Sequence, residues 1–79
     1  MEICRGNLVY SRAGRDKGQL FLVLSVENGY VYLTDGKTRR VKKPKKKKIK
    51  HINKTNTVLE IGDFIADCDV RNALSEFSV

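Results

Sequence analysis

The chain has 79 residues, 41% hydrophobic and 32% charged, with a formal net charge of +7. This length allows one small domain, 1–79, and the apolar content argues against a fully disordered chain. The charge is uneven, because the basic tract (39–54) has ten Lys and Arg and no acidic residue, whereas the remainder has six basic and nine acidic residues. Such a tract needs a polyanionic partner or remains solvated.

The composition also argues against catalysis, metal binding and membrane insertion. Cys4 and Cys68 are far apart and His51 is the only histidine, so no spacing typical of a zinc site is present. With no catalytic or phosphate-cradling motif, we expect no enzymatic activity and no small-molecule substrate. Without a run of ~20 apolar residues or an apolar signal region, we expect a cytoplasmic protein with reduced thiols. Cys68 is expected to be buried rather than reactive.

The first predicted strand, 8–10, leads into a glycine-containing loop, 11–18, with three basic side chains, Arg12, Arg15 and Lys17. Glycines allow backbone N–H groups to approach phosphates closely, and arginine suits bidentate phosphate contact. The loop is therefore a candidate anion-binding element. The alternative is that the glycines only permit the turn and the charges are solvated.

Two turn dipeptides punctuate the next segment. Asn28-Gly29 and Asp35-Gly36 both accept the positive φ angles that a two-residue hairpin requires. Their spacing predicts three consecutive antiparallel strands, over 19–27, 30–34 and 37–42.

Alternation predicts two faces for the strand over 19–27. Its even-numbered residues, from Leu20 to Val26, point one way, and Phe21, Val23 and Ser25 point the other way. The odd-numbered face is too apolar to be fully solvated, so another element is expected to cover part of it.

The remaining elements follow Pro44. A short fifth strand is predicted over 49–52, and 53–64 is expected to be loop or a short turn. A helix is predicted over 67–77, because apolar residues recur at 70, 73, 74 and 77 with helical spacing. Asp67 and Asp69 lie where carboxylates cap a first turn, and this helix is the candidate cover for the strand.

Five short strands in chain order favour a small barrel, since curling buries one face and removes most sheet edges. The predicted fold class is all-β with a short C-terminal helix, built on a small five-stranded barrel. Within the basic tract, only 42–48 is expected to be a free loop, stiffened by Pro44. It would form an anchored arm beside the 11–18 loop.

Residues 8–26, LVYSRAGRDKGQLFLVLSV, resemble a KOW motif, with Gly18 at the position of its characteristic glycine. The continuation NGYVYLTDGKTRRVKKPKKKKIKHI is similar to the fourteen-e type large-subunit ribosomal proteins of archaea and eukaryotes. It is also similar to their short bacterial relatives, described as KOW-domain RNA-binding proteins, whose final helix resembles DCDVRNAL. The resemblance implies an SH3-like barrel that binds ribosomal or other structured RNA, with no catalysis and no cofactor.

Charge and resemblance together predict an RNA-binding surface. The barrel is expected to position the 11–18 loop, while the tract follows an adjacent phosphate backbone with little sequence preference. The predicted partners of this monomer are ribosomal RNA and the ribosome. The candidate RNA-binding residues are Arg12, Arg15, Lys17, Arg39, Arg40, Lys42, Lys43, Lys45, Lys46, Lys47, Lys48, Lys50 and His51.

Tyr30 and Tyr32 share one strand face, where they stack on unpaired bases, complete the barrel or lie under the helix. The other aromatic residues are expected in the core; they are Tyr10, Phe21, Phe64 and Phe77.

Other interpretations stay open for the basic tract. The domain is alternatively a protein-interaction module that docks on the transcription or translation machinery, although it offers few aromatic anchors. PKKKKIK also fits a nuclear import signal, and a disordered, solvated run is a further alternative. Membrane-surface binding is disfavoured because the tract lacks an amphipathic apolar face.

Overall fold

The computed structural model describes residues 3–62 and 65–78. Within these residues the chain forms a small, mostly-β fold with one C-terminal helix, as predicted. The strands are β1 (Asn7–Ser11), β2 (Leu20–Glu27), β3 (Tyr30–Thr34), β4 (Lys45–Lys48) and β5 (Ile52–Val58), with a 3₁₀ turn at Ile49–His51 and helix α1 at Asp67–Ser78. In this part of the chain no helix is long and apolar enough to cross a bilayer.

All five strands belong to one antiparallel sheet in the order β4-β3-β2-β1-β5. Among the described residues β4 and β5 are its two edges and are not paired with each other, so the hydrogen-bonded ladder is not closed. The β1–β2 loop and the β3–β4 connection are neighbours in the fold. Gln19, at the end of that loop, donates a hydrogen bond to the Asp35 carboxylate at 2.6 Å.

The first predicted hairpin is confirmed and the second is wrong. Asn28 and Gly29 have φ angles of 49° and 81°, as a primed hairpin turn requires, and they join β2 to β3. After Asp35-Gly36 no strand begins until Lys45, so the predicted strand over 37–42 is absent from this described segment. The Asp35 carboxylate instead accepts hydrogen bonds from the backbone N–H groups of residues 37 and 39, which folds the chain locally.

The segment predicted as loop after residue 52 contains β5, which pairs with β1. The predicted strand over 49–52 is mostly the 3₁₀ turn. β5 was missed because its sequence, INKTNTV, has little apolar alternation. Its position is fixed by polar contacts instead: the Thr55 hydroxyl donates to the Leu8 carbonyl at 2.6 Å, and the Asn7 amide donates to the Thr57 carbonyl at 3.0 Å.

Two hydrophobic clusters lie on opposite faces of β2. Phe21 and Val23 pack in the first with residues of β1, β3 and β5, and Leu22 packs in the second with Val70 and Leu74 of α1. The helix therefore covers the even-numbered face, and the prediction that it covers the odd-numbered face is wrong. The first cluster joins β3 to β5, which are not neighbours in the sheet, so the strands curl around it without the helix.

The aromatic predictions have mixed outcomes. Phe21 is buried as predicted, and Phe77 is partly buried against the second cluster. Tyr10 is 37% exposed, which contradicts its predicted core position; it alternates with the buried Val9 and Ser11 and so faces the other side. Phe64 lies outside the described residues.

The start of α1 also differs in detail from the prediction. The Asp69 carboxylate caps the helix as predicted, accepting a hydrogen bond from the Ala66 N–H at 3.2 Å. Asp67 accepts instead from the Val41 N–H at 2.8 Å, which ties the helix to the β3–β4 connection. Cys68 is exposed rather than buried, because it lies roughly 200° around the helix from Val70, which faces the sheet.

Candidate nucleic-acid interface

The centre of the basic tract is an edge strand. β4 is hydrogen-bonded to β3, so the prediction of a free loop over 42–48 is wrong for residues 45–48. Residues 35–44 connect β3 to β4, and we call them the 35–44 connection. The first part of the basic tract, 39–44, lies in its second half. Because side chains alternate along a strand, the four lysines of β4 divide into two pairs on opposite faces of the sheet.

The inward pair is Lys45 and Lys47. They stand opposite Leu33 and Val31, whose side chains belong to the first hydrophobic cluster. Both bind Asp16 of the 11–18 loop, with Nζ-to-carboxylate distances of 2.5 Å and 2.7 Å. The side chains of Lys47 and Lys45 are 9% and 26% exposed, so the first is buried, the second is partly buried, and both charges are already paired within the fold.

Asp16 is the centre of this ion-pair cluster. Its side chain is 10% exposed and also accepts a hydrogen bond from the Ser11 hydroxyl at 2.6 Å. Burial by itself raises the pKa of this carboxyl, but the hydrogen bonds from Lys45, Lys47 and Ser11 outweigh it and hold the pKa well below its ordinary value. The carboxylate is therefore ionised at neutral pH and fixes the loop to β4.

Backbone contacts make the 11–18 loop rigid. The Gly18 N–H donates to the Ser11 carbonyl at 2.7 Å, and Lys47 Nζ donates to the Ala13 carbonyl at 2.8 Å. The Arg12 N–H donates to the His51 carbonyl at 2.9 Å, which joins the loop to the 3₁₀ turn. The loop is thus positioned by internal groups.

Its three basic side chains, Arg12, Arg15 and Lys17, are exposed. Within residues 3–62 and 65–78 none of them forms an ion pair with a carboxylate. The loop therefore presents three unneutralised cations on a rigid support.

The 35–44 connection presents four more of the predicted cations, Arg39, Arg40, Lys42 and Lys43, and also Lys37, all exposed. Its first turn is rigid, because the Arg39 carbonyl accepts hydrogen bonds from the Thr34 hydroxyl at 2.5 Å and from the Asp35 N–H at 3.0 Å. A second turn follows, in which the Lys43 N–H donates to the Arg40 carbonyl at 2.9 Å. This part of the basic tract is ordered by its own backbone.

The outward lysines of β4 share a face with the two tyrosines. Lys46 stands opposite Tyr32 and Lys48 opposite Tyr30, and Lys46 Nζ lies 4.4 Å from the centroid of the Tyr30 ring. This distance is typical of a cation–π contact. One face of Tyr30 is therefore occupied by a lysine, and a base that stacks there has to displace it.

The structure separates the thirteen predicted residues into two groups. Lys45 and Lys47 are bound to Asp16, and His51 is half-buried. The exposed ones are Arg12, Arg15, Lys17, Arg39, Arg40, Lys42, Lys43, Lys46, Lys48 and Lys50.

The 11–18 loop and the 35–44 connection contribute to one groove, which is lined by the cations Arg15, Arg39 and Lys45 together with Asp16, Gln19, Phe21 and Thr38. Sequence reasoning named the three cations but missed Asp16 and Gln19. The signal for Asp16 was available, because it is the only acidic residue within the otherwise basic 11–18 loop.

Comparison with known proteins adds no assignment: no family model matches the sequence, and no curated protein matches it.

Proposed function

We propose that this protein is a cytoplasmic, non-enzymatic RNA-binding protein of the KOW type, related to ribosomal proteins, that binds ribosomal RNA as a monomer. The single observation that carries the proposal is the division of basic residues between the inside and the outside of the fold. Ten candidate cations are exposed, and within the described residues none of them forms an ion pair with a carboxylate. Unneutralised charge of one sign on rigid loops favours a polyanionic ligand.

The finer fold assignment, an SH3-like barrel, belongs to the same proposal. Val9, Val31 and Ile52 lie in one buried cluster although they come from β1, β3 and β5. Because β3 and β5 are not neighbours in the sheet, a core that they share with β1 requires a strongly curled sheet. This curl supports the barrel that the KOW resemblance implies.

The chemistry of the exposed cations favours RNA phosphates over bases. Seven of the ten lie on the 11–18 loop and the 35–44 connection, where two turns are fixed by hydrogen bonds. Phosphate contacts position a protein on nucleic acid, and double-stranded RNA is read mainly by shape, backbone and 2′-OH. Structured RNA is therefore the proposed ligand, with weak dependence on sequence.

The test is a titration of a ribosomal RNA stem-loop at several salt concentrations. If about half of the ten exposed cations engage phosphates, log Kd depends on log salt with a slope of magnitude about 4. A nearly flat dependence would overturn the electrostatic mechanism. Retention of the protein on ribosomes after nuclease digestion would instead support a protein-docking module.

The exposed apolar residues argue against that docking alternative. Among the described residues the large exposed hydrophobic side chains are Tyr10, Val26 and Val58, on β1, β2 and β5. None of them is a register partner of another: Tyr10 stands opposite Leu20 and Asn53, Val58 opposite Asn7, and Val26 opposite Val31. Protein interfaces depend on clustered aromatic anchors, and the described surface offers no such cluster.

A further inference from the structure

We propose that the groove between the 11–18 loop and the 35–44 connection is a phosphate site, in which Arg15 and Arg39 together hold one phosphodiester of the bound RNA. This inference rests on the proposed function and deepens it, because it names where a single phosphate binds. The loop contributes Arg15 and Asp16 to the groove lining, and the connection contributes Thr38 and Arg39; Gln19, Phe21 and Lys45 complete it.

Each wall of the groove is held by a carboxylate that is fully engaged inside the protein. On the loop side, Asp16 binds Lys45, Lys47 and Ser11. On the other side, Asp35 is 6% exposed and accepts hydrogen bonds from two backbone N–H groups of its own turn. The supports of both arginines are therefore rigid before any ligand binds.

Gln19 joins the two walls. It lines the groove, and its amide donates to Asp35 Oδ2 at 2.6 Å. Its backbone N–H donates to the Asp16 carbonyl at 2.9 Å. One residue thus contacts both carboxylate-centred turns, which fixes the separation between the walls. A preorganised site of this kind loses little conformational freedom when a ligand binds.

The charges of the groove favour an anion. Arg15, Arg39, Lys45 and Lys47 contribute four positive charges at or behind its surface, and Asp16 and Asp35 contribute two negative charges, which leaves two positive. The two lysines are already bound to Asp16. No hydrogen bond or ion pair within the described residues involves either guanidinium, so both forks are available to a ligand.

Arginine is suited to this role because its planar guanidinium donates two parallel hydrogen bonds to phosphate oxygens. Two such forks, supplied to one groove by two different loops, match a tetrahedral phosphate better than the point charges of lysines do. The exposed Thr38 hydroxyl on the same wall provides one further donor. The geometry therefore assigns the two arginines to one shared phosphate.

The test uses Arg15→Gln, Arg39→Gln and the double variant in the full chain, with a ribosomal RNA stem-loop as the probe. Each single variant is expected to weaken binding about tenfold, the effect of losing a charge-assisted contact. The double variant should fall well short of the hundredfold product, because both side chains hold the same phosphate. Its salt slope should decrease by about 0.8, which corresponds to one phosphate.

Lys37→Gln is the matched control. Like the arginine variants it removes one positive charge, and Lys37 lies two residues from Arg39 in the same turn. However, Lys37 lines a different cleft, against α1. Its effect on affinity should be less than about twofold, since exposed charges away from the contact are screened. Thermal unfolding of all four variants should match that of the wild type, because neither guanidinium makes an internal contact.

The outcomes separate this site from the general function. If the wild type does not bind RNA, the proposed function fails. If it binds but both arginine variants behave like Lys37→Gln, the groove is not a phosphate site. A decrease of about 1.6 in the slope of the double variant would mean two independent phosphates and overturn the shared site. Titration with inorganic phosphate, followed by NMR of the arginine side chains, distinguishes the sources: saturable binding of the free ion without any arginine effect on RNA affinity would mean an adventitious ion only.

Discussion

The four residues of β4 are all lysines, but they form two pairs that lie on opposite faces of the sheet and in different environments. Lys45 and Lys47 point inward to Asp16, whereas Lys46 and Lys48 point outward beside the tyrosines of β3. The difference arises because one strand exposes alternate residues to alternate faces. A run of identical cations thus contains a pair bound inside the fold and an exposed pair, and a count of charges overstates the charge that is available to a ligand.

The inward pair also protects the sheet. β4 is an edge strand, and inward-pointing charged residues on an edge discourage pairing with a second chain. Here both charges are paired with a single carboxylate, that of Asp16 in the β1–β2 loop. The contacts of Asp16 with Lys45 and Lys47 therefore protect the edge strand and also position Arg15 and its neighbours in the loop.

The largest effect is expected for Asp16→Asn. This change leaves the buried Lys47 and the partly buried Lys45 without their carboxylate, and breaking a buried ion pair destabilises a protein by about 3 kcal/mol or more. It should also weaken RNA binding although it removes a negative charge, since the 11–18 loop loses its anchor. Urea unfolding and the stem-loop titration measure the two effects.

Glu27→Gln is the control, because it removes one negative charge from an exposed residue at the end of β2. It should leave stability unchanged and leave RNA affinity equal or slightly higher. Tighter RNA binding by Asp16→Asn, equal to that of Glu27→Gln, would show that Asp16 has no positioning role.

The next effect separates the two faces of β4 directly. Lys47→Gln removes an inward cation and should cost about 2 kcal/mol of unfolding free energy, because a buried carboxylate loses a charged partner. The double change Lys46→Gln/Lys48→Gln should leave the fold intact but reduce the salt slope of RNA binding by about 1.6, which corresponds to two phosphates. Equal loss of stability from both faces would contradict the division.

A smaller effect is expected from acid. The pKa of Asp16 in the folded protein lies below its ordinary value of 3.8, so its contribution to stability is fully present above pH 5. That contribution is lost as the pH falls through 3.8 toward the lower pKa of the folded state. Thermal unfolding between pH 2 and pH 6 should show a steeper decline for the wild type than for Asp16→Asn. Parallel curves would mean that another carboxyl controls the acid limb.

The features that sequence analysis predicted correctly are local. The Asn28-Gly29 turn and the stripe of α1 each depend on residues a few positions apart, and both are present. β4 and β5 were misplaced because their positions depend on distant groups. Lys45 binds Asp16, which is 29 residues away in the sequence, and Thr55 donates to the Leu8 carbonyl, which is 47 residues away. A polar strand carries no apolar alternation, so only the fold reveals it.

The candidate site divides in the same way. The charge pattern identified the cations, because exposure is the ordinary state of lysine and arginine. It did not separate Lys45 and Lys47 from the others, since the face of a strand depends on its register with β3. The groove was also missed, because Arg15 and Arg39 meet only when two connections, far apart in sequence, lie side by side.

The smallest effect concerns the outward face. Lys46 and Tyr30 should show a coupling of about 0.5 kcal/mol in a double-mutant cycle of Lys46→Gln and Tyr30→Leu, because an exposed cation–π contact is weak. RNA binding then decides what the tyrosine does. If Tyr30 stacks on an unpaired base, Tyr30→Leu weakens binding to a stem-loop with an open loop and not to a fully paired duplex. If it serves the fold alone, both ligands are affected equally, and the outward face binds only phosphates through its two lysines.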